Sequence, residues 1–123
     1  MKLHPDIPAV IQLADEQLRA YNRGDLDAFC ACFADDVVVL DESGRATMRG
    51  MQEFRARYGA LFAGGKLKDV RADIRGRVSV ANHLVELETA RRTDVETGQT
   101  SVSELIVRYT ERDGRIAIVE FLR

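Results

Sequence analysis

The spacing of apolar positions changes once along the chain, and the change divides helices from strands. Within residues 7–23, Val10, Ala14, Leu18 and Tyr21 follow steps of four, four and three, which trace one stripe of a helix. Pro8 falls where a first-turn proline is tolerated. Gly24, after Asn22 and Arg23, predicts a left-handed cap. Asp25 then predicts the N-cap of a second helix. Leu26, Phe29, Cys30 and Phe33 at i, i+3, i+4 and i+7 give that helix an apolar face of about three turns. Ala34-Asp35-Asp36 ends it. Val37 to Leu40 is apolar and mostly β-branched, hence a buried strand, and it finishes on a carboxylate, Asp41.

Glu42-Ser43-Gly44-Arg45 is turn chemistry, and residues 46–49 predict a short strand closed by Gly50. A third helix spans 51–62, with Met51, Phe54, Tyr58, Leu61 and Phe62 on one side, and Gly64-Gly65 terminates it. From Leu67 the period is two. Val70, Ala72, Ile74, Gly76, Val78 and Val80 alternate with Arg71, Asp73, Arg75 and Arg77, and Gly76 predicts a bulge or bend. A second long strand covers 84–93. A third covers 100–110, with Ser101, Ser103, Leu105, Val107 and Tyr109 on one face and Val102, Glu104, Ile106 and Arg108 on the other. Asp113-Gly114 predicts a hairpin turn into a last strand, 116–122. Helices first and long strands afterwards predict an α+β fold, a curved antiparallel sheet around the helices.

Composition narrows this picture without naming a function. The 123 residues fit one domain, and 46% hydrophobic with 31% charged residues is ordinary for a globular protein. A net charge of -2 predicts no pull toward nucleic acid or anionic membrane. No apolar run approaches the roughly 18 residues of a membrane span, and the N-terminus lacks a signal-like apolar core, so a cytoplasmic protein is expected. Cys30 and Cys32 point about 200° apart on a helix and cannot bridge; with His4 and His83 they make no metal set. No phosphate-binding glycine loop and no nucleophile–base pair is present, so no cofactor or metal is expected.

The candidate chemistry rests on few residues. Asp41 is either a carboxylate at the floor of a pocket or a strand-end cap for the Ser43 and Gly44 amides. Gln17, beside the stripe of the first helix, is pocket-facing or a boundary residue. Phe54, Tyr58 and Phe62 are core residues or pocket walls. Ser101 and Ser103 are ligand anchors or satisfied strand hydroxyls. The Arg71, Arg75 and Arg77 row reads as a solvated outer sheet face, paired with Asp73 and with Glu86 and Glu88 of the neighbouring strand.

Three motifs carry a resemblance: Tyr21-Asn22-Arg23-Gly24-Asp25-Leu26-Asp27-Ala28-Phe29, Phe33-Ala34-Asp35-Asp36-Val37-Val38-Val39, and Arg49-Gly50 before a helix with Phe54 and Tyr58. Together they resemble the nuclear transport factor 2-like superfamily, with its ketosteroid isomerase-like and SnoaL-like polyketide cyclase members. The resemblance implies a cone-shaped, curved antiparallel or mixed sheet wrapped around N-terminal helices, a cystatin-like α+β barrel around an apolar pocket. It implies that Asp41 is the general base and that Tyr58 supports an oxyanion hole. Gln17 stands where an oxyanion-hole tyrosine belongs. The second oxyanion acid has no counterpart in Ser103-Glu104-Leu105-Ile106, where Leu105 is the occupant, and steroid isomerisation is therefore not expected. Gln17, Phe54, Phe62, Ser103, Leu105 and Phe121 are expected to line the pocket.

Two functions stay open. One is cofactor-free isomerase, cyclase or hydratase-type acid–base chemistry on a small apolar or carbonyl-containing molecule. The other is a non-catalytic ligand-binding or protein-association domain. The resemblance also implies a homodimer through the outer sheet face, where Glu120 sits and Val102, Ile106, Leu84 and Ile118 are candidate apolar contributors.

Overall fold

Pro8 has no amide hydrogen to give a helix, and it stands as the N-cap of α1 (Ala9–Arg23). In this computed structural model, which describes residues 2–65 and 67–123, α1 ends as its sequence predicts. Gly24 takes φ +71°, and the Asp25 amide donates to the Ala20 carbonyl across 2.9 Å. Asp25 Oδ1 then accepts from the Ala28 amide at 3.1 Å and starts α2 (Leu26–Cys30).

That helix stops sooner than its apolar spacing predicts. β1 (Phe33–Leu40) begins at Phe33, because the Ile116 amide donates to the Cys32 carbonyl and opens the ladder there. A ladder partner at residue 32 outweighs one more turn of a marginal five-residue helix. Asp35 and Asp36 are therefore strand residues, turned outward where the register shifts between Phe33 and Val38.

The chain continues through β2 (Ala46–Arg49), α3 (Gly50–Phe62), β3 (Leu67–Val80), β4 (His83–Asp94), β5 (Thr100–Arg112) and β6 (Arg115–Leu122). Asp113 and Gly114 turn β5 into β6 with φ of +52° and +79°, as an Asp-Gly hairpin requires. The sheet order is β2-β1-β6-β5-β4-β3. β1 and β6 are parallel, and the other neighbours are antiparallel. The result is a mixed α+β fold in which a curved, unclosed sheet packs its inner face against the helices. Among the described residues no helix is long and apolar enough to cross a membrane.

Gly76 makes the bulge expected of it, and the bulge has a consequence for every residue beyond. Ile74 pairs with Glu88, but Gly76 already pairs with Leu87, so the alternation of β3 slips by one. Val78 and Val80 turn outward, 68% and 73% exposed. Arg77 turns inward, away from the outer face it was expected to share with Arg71 and Arg75. Its Nη2 lies 2.7 Å from Asp15 of α1 and 3.0 Å from Glu86 of β4. Arg71 and Arg75 do lie outside, on Asp73 and Glu104. Glu86 and Glu88, expected as their outer-face partners, sit on the inner face.

The core joins Val10, Leu13 and Ala14 of α1 to Leu84, Val107 and Ile116 of the sheet. At its helical end Phe54, 1% exposed, stacks on Phe29 with ring centres 5.6 Å apart. The outer face of β4 to β6 carries an exposed apolar strip, with Leu87, Val102, Ile106 and Leu122 each 38–56% exposed, flanked by the Arg75–Glu104 and Arg108–Glu120 ion pairs. Leu84 does not contribute to it; it is fully buried on the inner side.

Candidate functional site

Along β4 the inner-facing positions are Leu84, Glu86, Glu88, Ala90 and Arg92, every second residue. Two carboxylates therefore project from one strand face into the space beneath α1. Glu86 is 1% exposed and beside Arg77, yet neither of its oxygens receives an aligned hydrogen bond. Burial pushes its pKa up, and the Arg77 charge works against that.

Glu88 opens onto a cavity. Loss of solvent, and secondarily the Glu86 charge, raise its carboxyl to about 7, with Arg123 and Arg92 partly offsetting the rise. The cavity around it measures about 60 Å³ and is walled by Gln17, Tyr21, Tyr58, Leu105, Tyr109 and Phe121, among others. Four residues (Tyr58, Arg92, Phe121 and Arg123) also border a second, outer chamber of about 340 Å³, which reaches Asp41, Thr47, Met48 and Arg57. The deep chamber has room for a functional group, and the outer chamber for the body of a small molecule.

Gln17 is buried at this site, but not as a donor to its contents. Its Nε2 gives one hydrogen to the Ala14 carbonyl at 3.0 Å and the other to the Tyr109 hydroxyl at 3.1 Å. Because Tyr109 Oη accepts that bond, its own hydrogen is left to point elsewhere, and the chamber is what it borders. Burial raises the pKa of Tyr109 and of Tyr58, keeping both as neutral O–H donors. The Tyr58 hydroxyl has no hydrogen-bond partner among the described residues and borders both chambers.

Asp41 borders the outer chamber from the strand end, and its carboxylate is engaged in the turn. Oδ1 accepts from the Ser43 hydroxyl at 2.6 Å, the Ser43 amide at 2.9 Å and the Arg45 amide at 3.0 Å. Those bonds, the Ser43 hydroxyl foremost, hold its pKa below the usual carboxylate value. Leu105 and Phe121 line the deep chamber. Phe54 and Phe62 stand behind the wall, with Phe62 against Tyr21 at 5.4 Å. Ser103 lies on the same sheet face as Leu105 but is exposed and borders neither chamber.

The sequence reading thus missed Glu88, Tyr109 and Arg92 as site residues. Tyr109 was accessible, since its parity with Leu105 and Val107 marks it as inward. Glu88 and Arg92 were not, because β4 carries polar residues on both of its faces.

The model of the SnoaL-like domain family matches residues 14–119. A cystatin-fold protein from Novosphingobium aromaticivorans superposes with a TM-score of 0.82 at 21% identity, over 95% of this chain and 99% of its own. An LEH-like epoxide hydrolase of M. tuberculosis gives 0.79 at 16%, over 93% and 81%. The Delta 5-3-ketosteroid isomerase of a Mycobacterium species gives 0.77 at 19%, over 94% and 92%. At such identities the superpositions establish the fold alone, and no curated protein matches the sequence. The motifs around Gly24, Asp35 and Gly50, the open curved sheet over three helices and the match across nearly the whole length agree: the chain belongs to the SnoaL-like domain family.

Proposed function

We propose that this chain is a small-molecule pocket protein that exchanges a proton at carbon beside a carbonyl group, with Glu88 as the acid–base residue. The observation that carries this reading is the position of Glu88 in a cavity that also borders two phenol donors, where loss of solvent raises its carboxyl to about 7. A base is most useful when its pKa lies near the working pH. In the reaction, the Glu88 carboxylate takes a proton from the carbon next to the carbonyl. The Tyr109 and Tyr58 hydroxyls donate to the oxygen on which negative charge develops. The protonated Glu88 then returns the proton to another carbon of the same conjugated system, so the ligand is isomerised and the enzyme is regenerated. The occurrence of this fold in an isomerase and an epoxide hydrolase supports acid–base chemistry without specifying the ligand.

Asp41 is the second reading for the base. It borders the larger chamber, and its Oδ2 makes no bond among the described residues. Its lowered pKa makes it the weaker base of the two. Hydrogen–deuterium exchange into a panel of small ketones, followed by NMR, separates the possibilities. Glu88→Gln is expected to remove exchange while Asp41→Asn retains it, and the reverse result transfers the role to Asp41. Saturable binding without exchange in the unmodified protein favours the non-catalytic ligand-binding role.

The exposed apolar strip on the outer face supports a homodimer. Leu87, Val102, Ile106 and Leu122 would be covered by their counterparts in a second copy.

A further inference from the structure

Arg92 carries a polar atom that the protein itself does not satisfy. Its Nε is shielded from solvent and has no hydrogen-bond partner among the described residues. It stands where the deep and outer chambers meet. Arg123 shares that junction, its guanidinium carbon 5.2 Å from the centre of the Phe121 ring, and Arg57 reaches the outer chamber from α3. Among the described residues none of these three lies at ion-pairing distance from a carboxylate. Elsewhere on the sheet, Arg71, Arg75, Arg77 and Arg108 each hold one. The acids of the outer chamber, Asp41 and Glu42, belong to the turn after β1, and Asp41 is bonded to that turn. Arg92 and Arg123 thus face one acid of the deep chamber, Glu88, whose pKa they lower, and neither is ion-paired to it.

A buried guanidinium donor left unmatched is costly, and a carboxylate is the group whose two oxygens fit its planar fork. An uncharged carbonyl would supply one acceptor atom where the guanidinium fork offers two parallel donors. The Phe121 ring and the Tyr58 ring flank the same junction and suit a flat or apolar body attached to that carboxylate.

We infer that the pocket selects an organic anion: a small acyl compound whose carboxylate rests on Arg92 at the chamber junction and whose body lies against Phe121 and Tyr58. This deepens the proposed pocket function and rests on it. The carboxylate anchors the ligand, and Glu88 lies beyond the anchor, at the reacting end.

The test is an amide NMR titration at pH 7 with benzoate and with benzamide, its neutral counterpart of the same shape. It is carried out on the unmodified protein, Arg92→Gln and Arg92→Lys. Benzoate is expected to shift the amides of Gln17, Leu105 and Phe121 and to bind at least about tenfold more tightly than benzamide, as one charge-assisted bidentate contact implies. Arg92→Gln brings the two ligands to within about twofold of each other, and Arg92→Lys, which keeps the charge, retains part of the preference. Equal binding of both ligands in the chamber overturns the anion inference and leaves the pocket function standing. A preference that survives in Arg92→Gln also overturns it. Chamber amides that respond to neither ligand overturn both. Should Arg92→Gln prove unfolded by circular dichroism, the benzoate-to-benzamide ratio in the unmodified and Arg92→Lys proteins decides.

Discussion

Gln17 Nε2 donates to the Tyr109 hydroxyl across 3.1 Å, joining α1 to the middle of the sheet over 92 residues of sequence. The bond turns a helix amide into a positioning device and a strand phenol into the donor that borders the cavity. Gln17→Leu keeps the bulk and removes the bond. It should lower unfolding stability by about 1–3 kcal/mol, because the Tyr109 hydroxyl loses its buried partner. Urea denaturation of Gln17→Leu, Tyr109→Phe and the double variant measures this. The double variant should be less destabilised than the sum of the single ones, and strict additivity would show the two groups to be independent.

Glu88 should make stability fall as pH rises from about 4.5 to about 7. Its folded pKa of about 7 lies above the ordinary value of 4.5, so the folded state holds its proton more tightly than the unfolded chain. The contribution is fully present below about pH 4.5 and is lost by about pH 7, with a total on the order of 3 kcal/mol. Glu88→Gln cannot titrate and should lack this part of the pH dependence. Thermal denaturation of both proteins from pH 4 to 8 tests it; parallel curves would place Glu88 in a solvated, unperturbed setting.

Arg77 stands between two acids, Asp15 and Glu86, and its removal leaves Glu86 buried without a counter-charge. Arg77→Met should therefore destabilise the protein strongly, by about 3–5 kcal/mol at neutral pH. The loss should shrink on acidification, since protonating Glu86 removes the unpaired charge. A second change, Glu86→Gln, should recover much of the stability, and a double variant no better than Arg77→Met would refute the account.

Ile106 lies near the middle of the exposed strip on the outer face, paired across strands with Leu87 and Leu122. If two copies pack there, Ile106→Asp should convert a dimer to a monomer in light scattering while the circular dichroism spectrum stays unchanged. A monomeric unmodified protein, or a dimer indifferent to this substitution, would end the dimer proposal.

Much of the local structure was legible in advance because it depends on neighbours in sequence. Gly24 had to cap α1 and Asp25 had to start α2, since each acts on backbone groups within five residues. Asp113-Gly114 had to turn the chain, and the parity of β5, with Leu105, Val107 and Tyr109 inward, followed from alternation alone. Asp41 carried two readings, and the turn reading describes the bonds its carboxylate makes.

Alternation without knowledge of the slip at Gly76 assigned Arg77 to solvent, and the bulge gave it to Asp15 and Glu86. The short apolar spacing of α2 ran on to Phe33 until the ladder with β6 claimed that residue for β1. Glu88 on a strand of mixed faces carried no mark of burial, because a carboxylate's pKa is set by the water it loses and the charges it meets. By itself the sequence determined the order of the elements, the caps at Gly24 and Asp25 and the resemblance to a family. Tertiary structure alone decided which carboxylates are desolvated, which tyrosines keep a proton free and which arginines have no ion-paired carboxylate, because those properties belong to contacts between elements distant in sequence.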